Sequence, residues 1–124
     1  MKYVIIGASA AGLATAQGIR SVDKKSEITI LTREEYFPYS RPSISYWLKG
    51  VVNEKDMLLR KPSFYKENNI NVVTLCDVTK IDTKKKVVKS GHSRLVANHL
   101  QRQENSIYTQ PKHFYFCIYY CLYD

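Results

Sequence analysis

The chain has little cysteine, no long apolar run and no surplus of acid. Its three cysteines among 124 residues, Cys76, Cys117 and Cys121, are too few and too clustered for a disulfide scaffold. A reducing, cytoplasmic setting is therefore expected. No apolar stretch approaches the roughly 20 residues that cross a bilayer. Tyr3–Ile6 is too short for the apolar core of a secretory leader, so none is expected. Zinc-ligand spacing, an RNP-like box and a continuous basic helix are also missing, so nucleic acid is not an expected partner. Acidic residues number 11 against 19 lysines and arginines, a net charge of +8 that suits a smaller anionic ligand. The length permits one small domain with a modest core.

What is present is concentrated in the first dozen residues. Tyr3–Ile6 is a short apolar run that breaks into Gly7-x-Ser9-x-x-Gly12 and then Leu13-Ala-Thr-Ala-Gln17. That order reads as buried strand, tight turn and helix start. It turns backbone N–H groups and the positive end of a helix dipole toward an anion, most often a dinucleotide pyrophosphate. Gly7, Ala8, Ser9, Ala10, Ala11 and Gly12 are the candidate phosphate cradle. Gly7 makes the turn out of the strand, and Gly12 lets the helix approach. Serine at the middle position costs clearance, but its hydroxyl can donate to a phosphate oxygen. The plain alternative is an ordinary strand–helix turn.

Further along, Ala11–Val22 reads as helix, Glu27–Leu31 as a second strand, and Asp23–Ser26 as the polar turn between them. The right-handed crossover rule makes the two strands parallel neighbours. Thr32–Pro42 is a loop, with Pro38 and Pro42 discouraging helix. Ser43–Lys49 is a short helix stopped at Gly50, and Met57–Leu59 a short apolar contact segment. Ser63–Asn68 is another short helix, and Ile70–Leu75 a third parallel strand with Cys76 at its end, read as a small buried hydrophobe. Val78–Asp82 and Lys86–Lys89 alternate around Lys84-Lys-Lys86, which predicts a small hairpin with a solvated turn.

A dinucleotide turn of this kind expects an acid about 20 residues after its last glycine, to accept from ribose hydroxyls. Counting from Gly12 reaches Thr32, followed by Arg33, Glu34 and Glu35. Glu34 is the first candidate, and a solvated acidic turn is the alternative. Arg33 offers a different reading, a partner for a 2′-phosphate.

The segment Tyr36-Phe-Pro-Tyr-Ser-Arg-Pro-Ser-Ile-Ser45 narrows the choice. With Tyr46-Trp47-Leu48-x-Gly50, Phe64-Tyr-x-Glu-Asn-Asn-Ile-x-Val72 and Val78-Thr-x-Ile-Asp82, it resembles the FAD-binding start of the pyridine nucleotide-disulfide oxidoreductase superfamily. The likeness runs to about Val88. It is nearest to the branch of NAD(P)H-dependent rubredoxin, ferredoxin and nitrite reductases and NADH oxidases. The resemblance implies an α/β fold: a Rossmann-like FAD/NAD(P)-binding βαβ domain with a parallel sheet and a small antiparallel hairpin, incomplete. It implies FAD as cofactor, NAD(P)H as co-substrate of the full-length family, and Arg41 and Pro42, with Ser43, lying along the flavin. Electrons would pass through flavin to a small redox protein, oxygen or an inorganic acceptor.

The likeness has two departures. Ser43–Gly50 holds no cysteine, so a dithiol mechanism is not expected. Tyr46 stands near the place where many relatives carry a lysine close to the flavin. No residue presents itself as a catalytic acid, base or nucleophile. Cys117 and Cys121 lack neighbours for a metal site, and His92, His99 and His113 form no interpretable spacing. The resemblance also implies an acidic-Gly turn, a Tyr-Asp pair, an Ala-Thr-Gly strand end and a second glycine fingerprint. After Val88 the chain reads Lys89-Ser-Gly-His-Ser-Arg-Leu95 instead. The expected division is thus a partial FAD-binding domain over 1–89 and an atypical tail over 90–124, frameshifted or disordered. Its last stretch, Phe114–Tyr123, is almost wholly aromatic and apolar. Two other readings stay open: a non-catalytic truncated nucleotide-binding fragment, and a small NAD(P)-dependent reductase.

Overall fold

Three β-branched residues in succession, Val4, Ile5 and Ile6, give the first strand its preference for extended backbone. In a computed structural model, which describes residues 2–85, 87–92, 107–109 and 114–118, this strand is β1 (Lys2–Ile6). Helix α1 (Ala10–Val22) follows and leads into β2 (Glu27–Leu31). β1 and β2 pair in parallel with Ile5 opposite Ile30, as the crossover rule requires.

The loop after β2 ends in a 3₁₀ turn, Arg41–Ser43, with Pro42 in its first positions. There the missing N–H costs nothing. Helix α2 (Ile44–Leu48) is shorter than the sequence predicts because its start is taken by that turn. A second 3₁₀ turn, Glu54–Met57, leads to α3 (Pro62–Glu67) and β3 (Ile70–Val73). The apolar segment at 57–59 ties the loop down. Ser40 N–H donates to Met57 O at 2.8 Å, Leu59 N–H donates to Pro38 O at 3.0 Å, and Tyr39 bridges Leu58.

β3 pairs in parallel with β2 but ends two residues early. Leu75 takes φ +57°, and its N–H and that of Cys76 bond to Glu34 O and Thr32 O at 3.1 and 2.8 Å. The chain thus leaves the ladder, and Cys76 opens β4 (Cys76–Asp82) rather than ending β3. The hairpin partner β5 runs over Val87–His92, three residues past the predicted end, and pairs antiparallel with β4. Among the described residues two more strands join the sheets. β6 (Ile107–Thr109) pairs with β5, and β7 (Phe114–Ile118) pairs in parallel with β1. The strand orders are β3-β2-β1-β7 and β4-β5-β6.

Alternation along the strands builds two cores. Ile5, Ile28, Ile30 and Ile70 face the helices and pack with Leu13, Ala16 and Tyr65. Val4 and Leu31 face the other way, against Cys76 and Val88 of the hairpin sheet. β1 and β2 are therefore covered on both faces, as parallel strands require. Full burial of each isoleucine in this layer contributes roughly 1.5–3 kcal/mol.

One buried cation pins the helix side. Arg20, in the last turn of α1, donates to Asp23 O, Ser26 O and Asn69 O at 2.9, 2.7 and 3.0 Å. It joins the α1–β2 turn to the α3–β3 turn, where Asn69 takes φ +49°. Asp23 closes its own turn by accepting from the N–H groups of Lys25 and Ser26 at 3.0 and 2.9 Å.

Candidate functional site

The site begins where β1 stops. Gly7 takes φ +105°, a left-handed conformation that a side chain would resist, and its N–H donates to Leu31 O at 2.8 Å. Ser9 then caps α1 in an extended conformation, its carbonyl accepting from Leu13 N–H at 3.0 Å. The Ser9 hydroxyl makes no capping bond, and no acidic residue sits in the first turn. The leading amides of α1 and the positive end of its dipole are thereby left for an anion. Gly12 completes the cradle. A Cβ there would strike the Gly7 carbonyl oxygen and come within 3.1 Å of the Gly7 carbonyl carbon. Helix and turn meet too closely for any side chain.

Glu34 lies just past β2, held by its backbone. Its N–H donates to Thr32 Oγ1 at 3.2 Å, and its carbonyl accepts from Leu75 N–H at 3.1 Å. The Glu34 carboxylate pairs with the guanidinium of Arg41, which stands 5.8 Å from the Tyr39 ring centroid. Burial raises the pKa of Tyr39, as do its hydrogen bond to Glu34 and the charge there, while Arg41 pulls the other way.

These groups share one cavity. Ala8, Ser9, Glu34, Tyr36, Tyr39 and Arg41 all line it. Gly7 and Gly12 shape the adjoining turn, and Ala10 and Ala11 are exposed at the helix start. Pro42 is exposed and sets the 3₁₀ turn after Arg41 without lining the cavity; Arg33 is exposed and lies outside its lining. Neither cysteine nor histidine is among the lining residues. Among the described residues no group of three potential metal ligands occurs, and no helix is long and apolar enough to cross a membrane. Sequence reasoning passed over Tyr36 and Tyr39, although two tyrosines flanking Phe-Pro in a ligand-side loop were a usable signal.

Beyond Tyr36 and Tyr39 lies an apolar groove of about 400 Å³, lined also by Ile44, Trp47, Met57 and Leu58. α2 and the residues after it leave Tyr46, Trp47, Leu48 and Val51 exposed, at 45–73%. Cys76, at the start of β4, is buried against Val4 and Leu31, and burial raises its thiol pKa.

A description of the family Pyridine nucleotide-disulphide oxidoreductase matches residues 1–107. The chain is 37% identical over 91 residues to an NADH oxidase of Methanocaldococcus jannaschii, covering 72% of this chain and 20% of that one. It is 36% identical over 92 residues to an NADH-rubredoxin oxidoreductase of Clostridium acetobutylicum, covering 73% and 24%. The structure of an NAD-dependent persulfide reductase from A. fulgidus superposes with a TM-score of 0.73 at 29% identity, over 95% of this chain and 21% of the other. The chain thus spans a fifth to a quarter of the length of the curated relatives it matches. The family is one of FAD-dependent oxidoreductases that use NAD(P)H. With its glycine turn, its acid past β2 and its Arg-Pro loop, the chain belongs to the pyridine nucleotide-disulphide oxidoreductase family.

Proposed function

We propose that this chain is the FAD-binding portion of an NAD(P)H-dependent oxidoreductase. The observation that carries the reading is the meeting of Ala8, Ser9, Glu34 and Arg41 on one cavity beside the Gly7–Gly12 contact. The residues fit the group. The Gly7–Gly12 amides would hold the pyrophosphate, and the Ser9 hydroxyl is free to donate to it. Glu34 would accept from the ribose hydroxyls, and Arg41 with Pro42 would border the flavin side. FAD supplies the redox chemistry when bound; the chain binds and orients it. The whole protein would take reducing equivalents from NAD(P)H and deliver them to a small redox protein, oxygen or an inorganic acceptor, in the cytoplasm. Kinship with a rubredoxin reductase and the basic charge of +8 support a protein acceptor.

A second reading, a non-catalytic nucleotide-binding fragment, is favoured by the exposed Trp47, Leu48 and Val51. Such apolar surface suits a part meant to be covered by more protein. A small NAD(P)-dependent reductase is less favoured, since Arg33 does not line the cavity. Visible absorbance of the purified 124-residue chain tests these readings. A yellow protein that retains FAD through gel filtration supports the first. A colourless, aggregating one that takes up neither FAD nor NADPH supports the second, as a truncated piece of a nucleotide-binding domain too unstable alone to hold its ligand, and uptake of NADPH alone supports the third. The division at residue 89 is a proposal too. Sequencing the gene locus tests it, because family sequence resuming in another frame supports a frameshift and its absence rejects one.

A further inference from the structure

The apolar groove beside the dinucleotide cavity is lined by three aromatic side chains, Tyr36, Tyr39 and Trp47, together with Met57 and Leu58. Glu54 is the single charged residue in its lining. At about 400 Å³ the groove falls within the roughly 300–1,000 Å³ of small-molecule sites. Its walls come from three segments that backbone bonds tie in place. Ser40 N–H donates to Met57 O at 2.8 Å, Tyr39 bridges Leu58, and Val51 N–H donates to Tyr46 O at 2.9 Å, closing the end of the helix that carries Trp47. Among the described residues neither Tyr36 nor Trp47 pairs with a second ring or a cation, and the Glu54 carboxylate has no ion pair. Arg41 stands near the Tyr39 ring, but it is paired with Glu34 and lies outside the groove lining.

Apolar surface alone would accept any greasy occupant. Aromatic faces carry negative potential, and with a lone carboxylate they select a cation, even in a chain of net charge +8. Repulsion from the basic surface is screened beyond about 8 Å at physiological salt, whereas the rings and Glu54 act in contact. A strongly hydrated cation would leave the apolar floor uncovered, so the charge must be clothed in methyl groups. We propose that the groove is a binding site for a small quaternary ammonium cation, its methyl groups against Tyr36, Tyr39 and Trp47 and its charge toward Glu54. Tyr36 and Tyr39 also line the dinucleotide cavity, so the two hollows share a wall. The site goes beyond the flavin reading and does not depend on it.

Trp47 is the only tryptophan of the chain, so its fluorescence reports on the groove directly. Choline and its uncharged isostere 3,3-dimethylbutan-1-ol are titrated into the full chain at constant ionic strength, for wild type, Glu54→Gln and Tyr36→Leu. Choline is expected to shift Trp47 emission saturably. The neutral isostere should bind about three- to thirtyfold more weakly, the span of one cation–π contact from exposed to desolvated. Glu54→Gln should weaken choline about two- to fivefold and leave the isostere unchanged. Tyr36→Leu, which keeps the lining apolar, should weaken choline alone. Both residues are exposed, and unchanged urea midpoints check that the variants fold; the wild-type comparison of the two compounds needs no variant. Equal responses to choline and the isostere overturn the proposal and leave an apolar cleft. It falls too if neither compound shifts the emission, or if the emission changes only with protein concentration, which marks the face as one covered by a second copy. None of these readouts needs bound flavin, so failure here leaves the FAD reading standing.

Discussion

The carbonyl oxygen of Gly7 occupies the space in which a side chain at Gly12 would begin. This contact sets how near α1 comes to the end of β1, and so where the helix amides stand. The cradle is shaped by what is missing from it, and a methyl group is enough to disturb it.

Gly12→Ala should destabilise the fold by about 1–3 kcal/mol, the usual cost of forcing atoms into a packed site. FAD affinity should fall with it. Gly18, on the same helix, has nothing within 4 Å of its missing Cβ. Gly18→Ala should therefore stabilise by about 0.5–1 kcal/mol through helix propensity alone. Urea denaturation of both variants checks the opposite signs.

Arg20 is buried and bonded to three carbonyls from two turns. Removing it leaves those acceptors short of a donor, at about 1–3 kcal/mol for each group left unsatisfied. Arg20→Met should lower the urea midpoint strongly. Arg20→Lys should recover little, since an ammonium lacks the planar fork that reaches all three. A lysine variant as stable as wild type would show that charge, not geometry, is what this position needs.

The Tyr65 hydroxyl is buried without a hydrogen-bond partner among the described residues, while its ring packs against Phe37 and Phe64 at centroid distances of 5.4 and 5.6 Å. Tyr65→Phe keeps the ring and removes an unmet polar group. Stability should rise by about 1 kcal/mol. A drop in thermal midpoint would mean that the hydroxyl is satisfied in solution.

Hydrogen bonds from Ser26, its side chain first, and from the Lys25 N–H hold the Asp23 carboxyl well below the usual carboxylate range. A carboxylate depressed in the folded state adds stability above its unfolded pKa, which is lost as pH falls through the folded one. The wild-type urea midpoint should therefore decline from about pH 4 downward. Asp23→Asn keeps an acceptor but has nothing to titrate, so its decline over the same range should be shallower. Matching acid profiles for the two proteins would remove Asp23 from the account.

Much of the fold was legible because its signals are local. Three β-branched residues, a glycine turn and an alanine-rich segment mark β1 and α1 without reference to the rest of the chain. The same holds for β2 and for the alternating hairpin. The misplaced boundary between β3 and β4 has a long-range cause. Leu75 carries no turn signal, since leucine avoids positive φ, and only the bonds from its own N–H and that of Cys76 to the loop after β2 put it there. Arg20 was illegible for a similar reason. An arginine near a helix end reads as a solvated cation until a carbonyl 49 residues away comes within its reach.

The sequence by itself determined the family, the strand–turn–helix cradle and the residue types available to a dinucleotide, because spacing and backbone preference act over a few residues. Tertiary structure decided what those residues do to one another. Glu34 and Arg41 stand seven apart, and each alone reads as a ligand contact. Packing of the Pro38–Ser40 loop onto the 57–59 segment, and of the Leu75 turn beneath Glu34, brings them into a pair. Partner choice between two charges depends on where folding sets them, and no local pattern carries that distance.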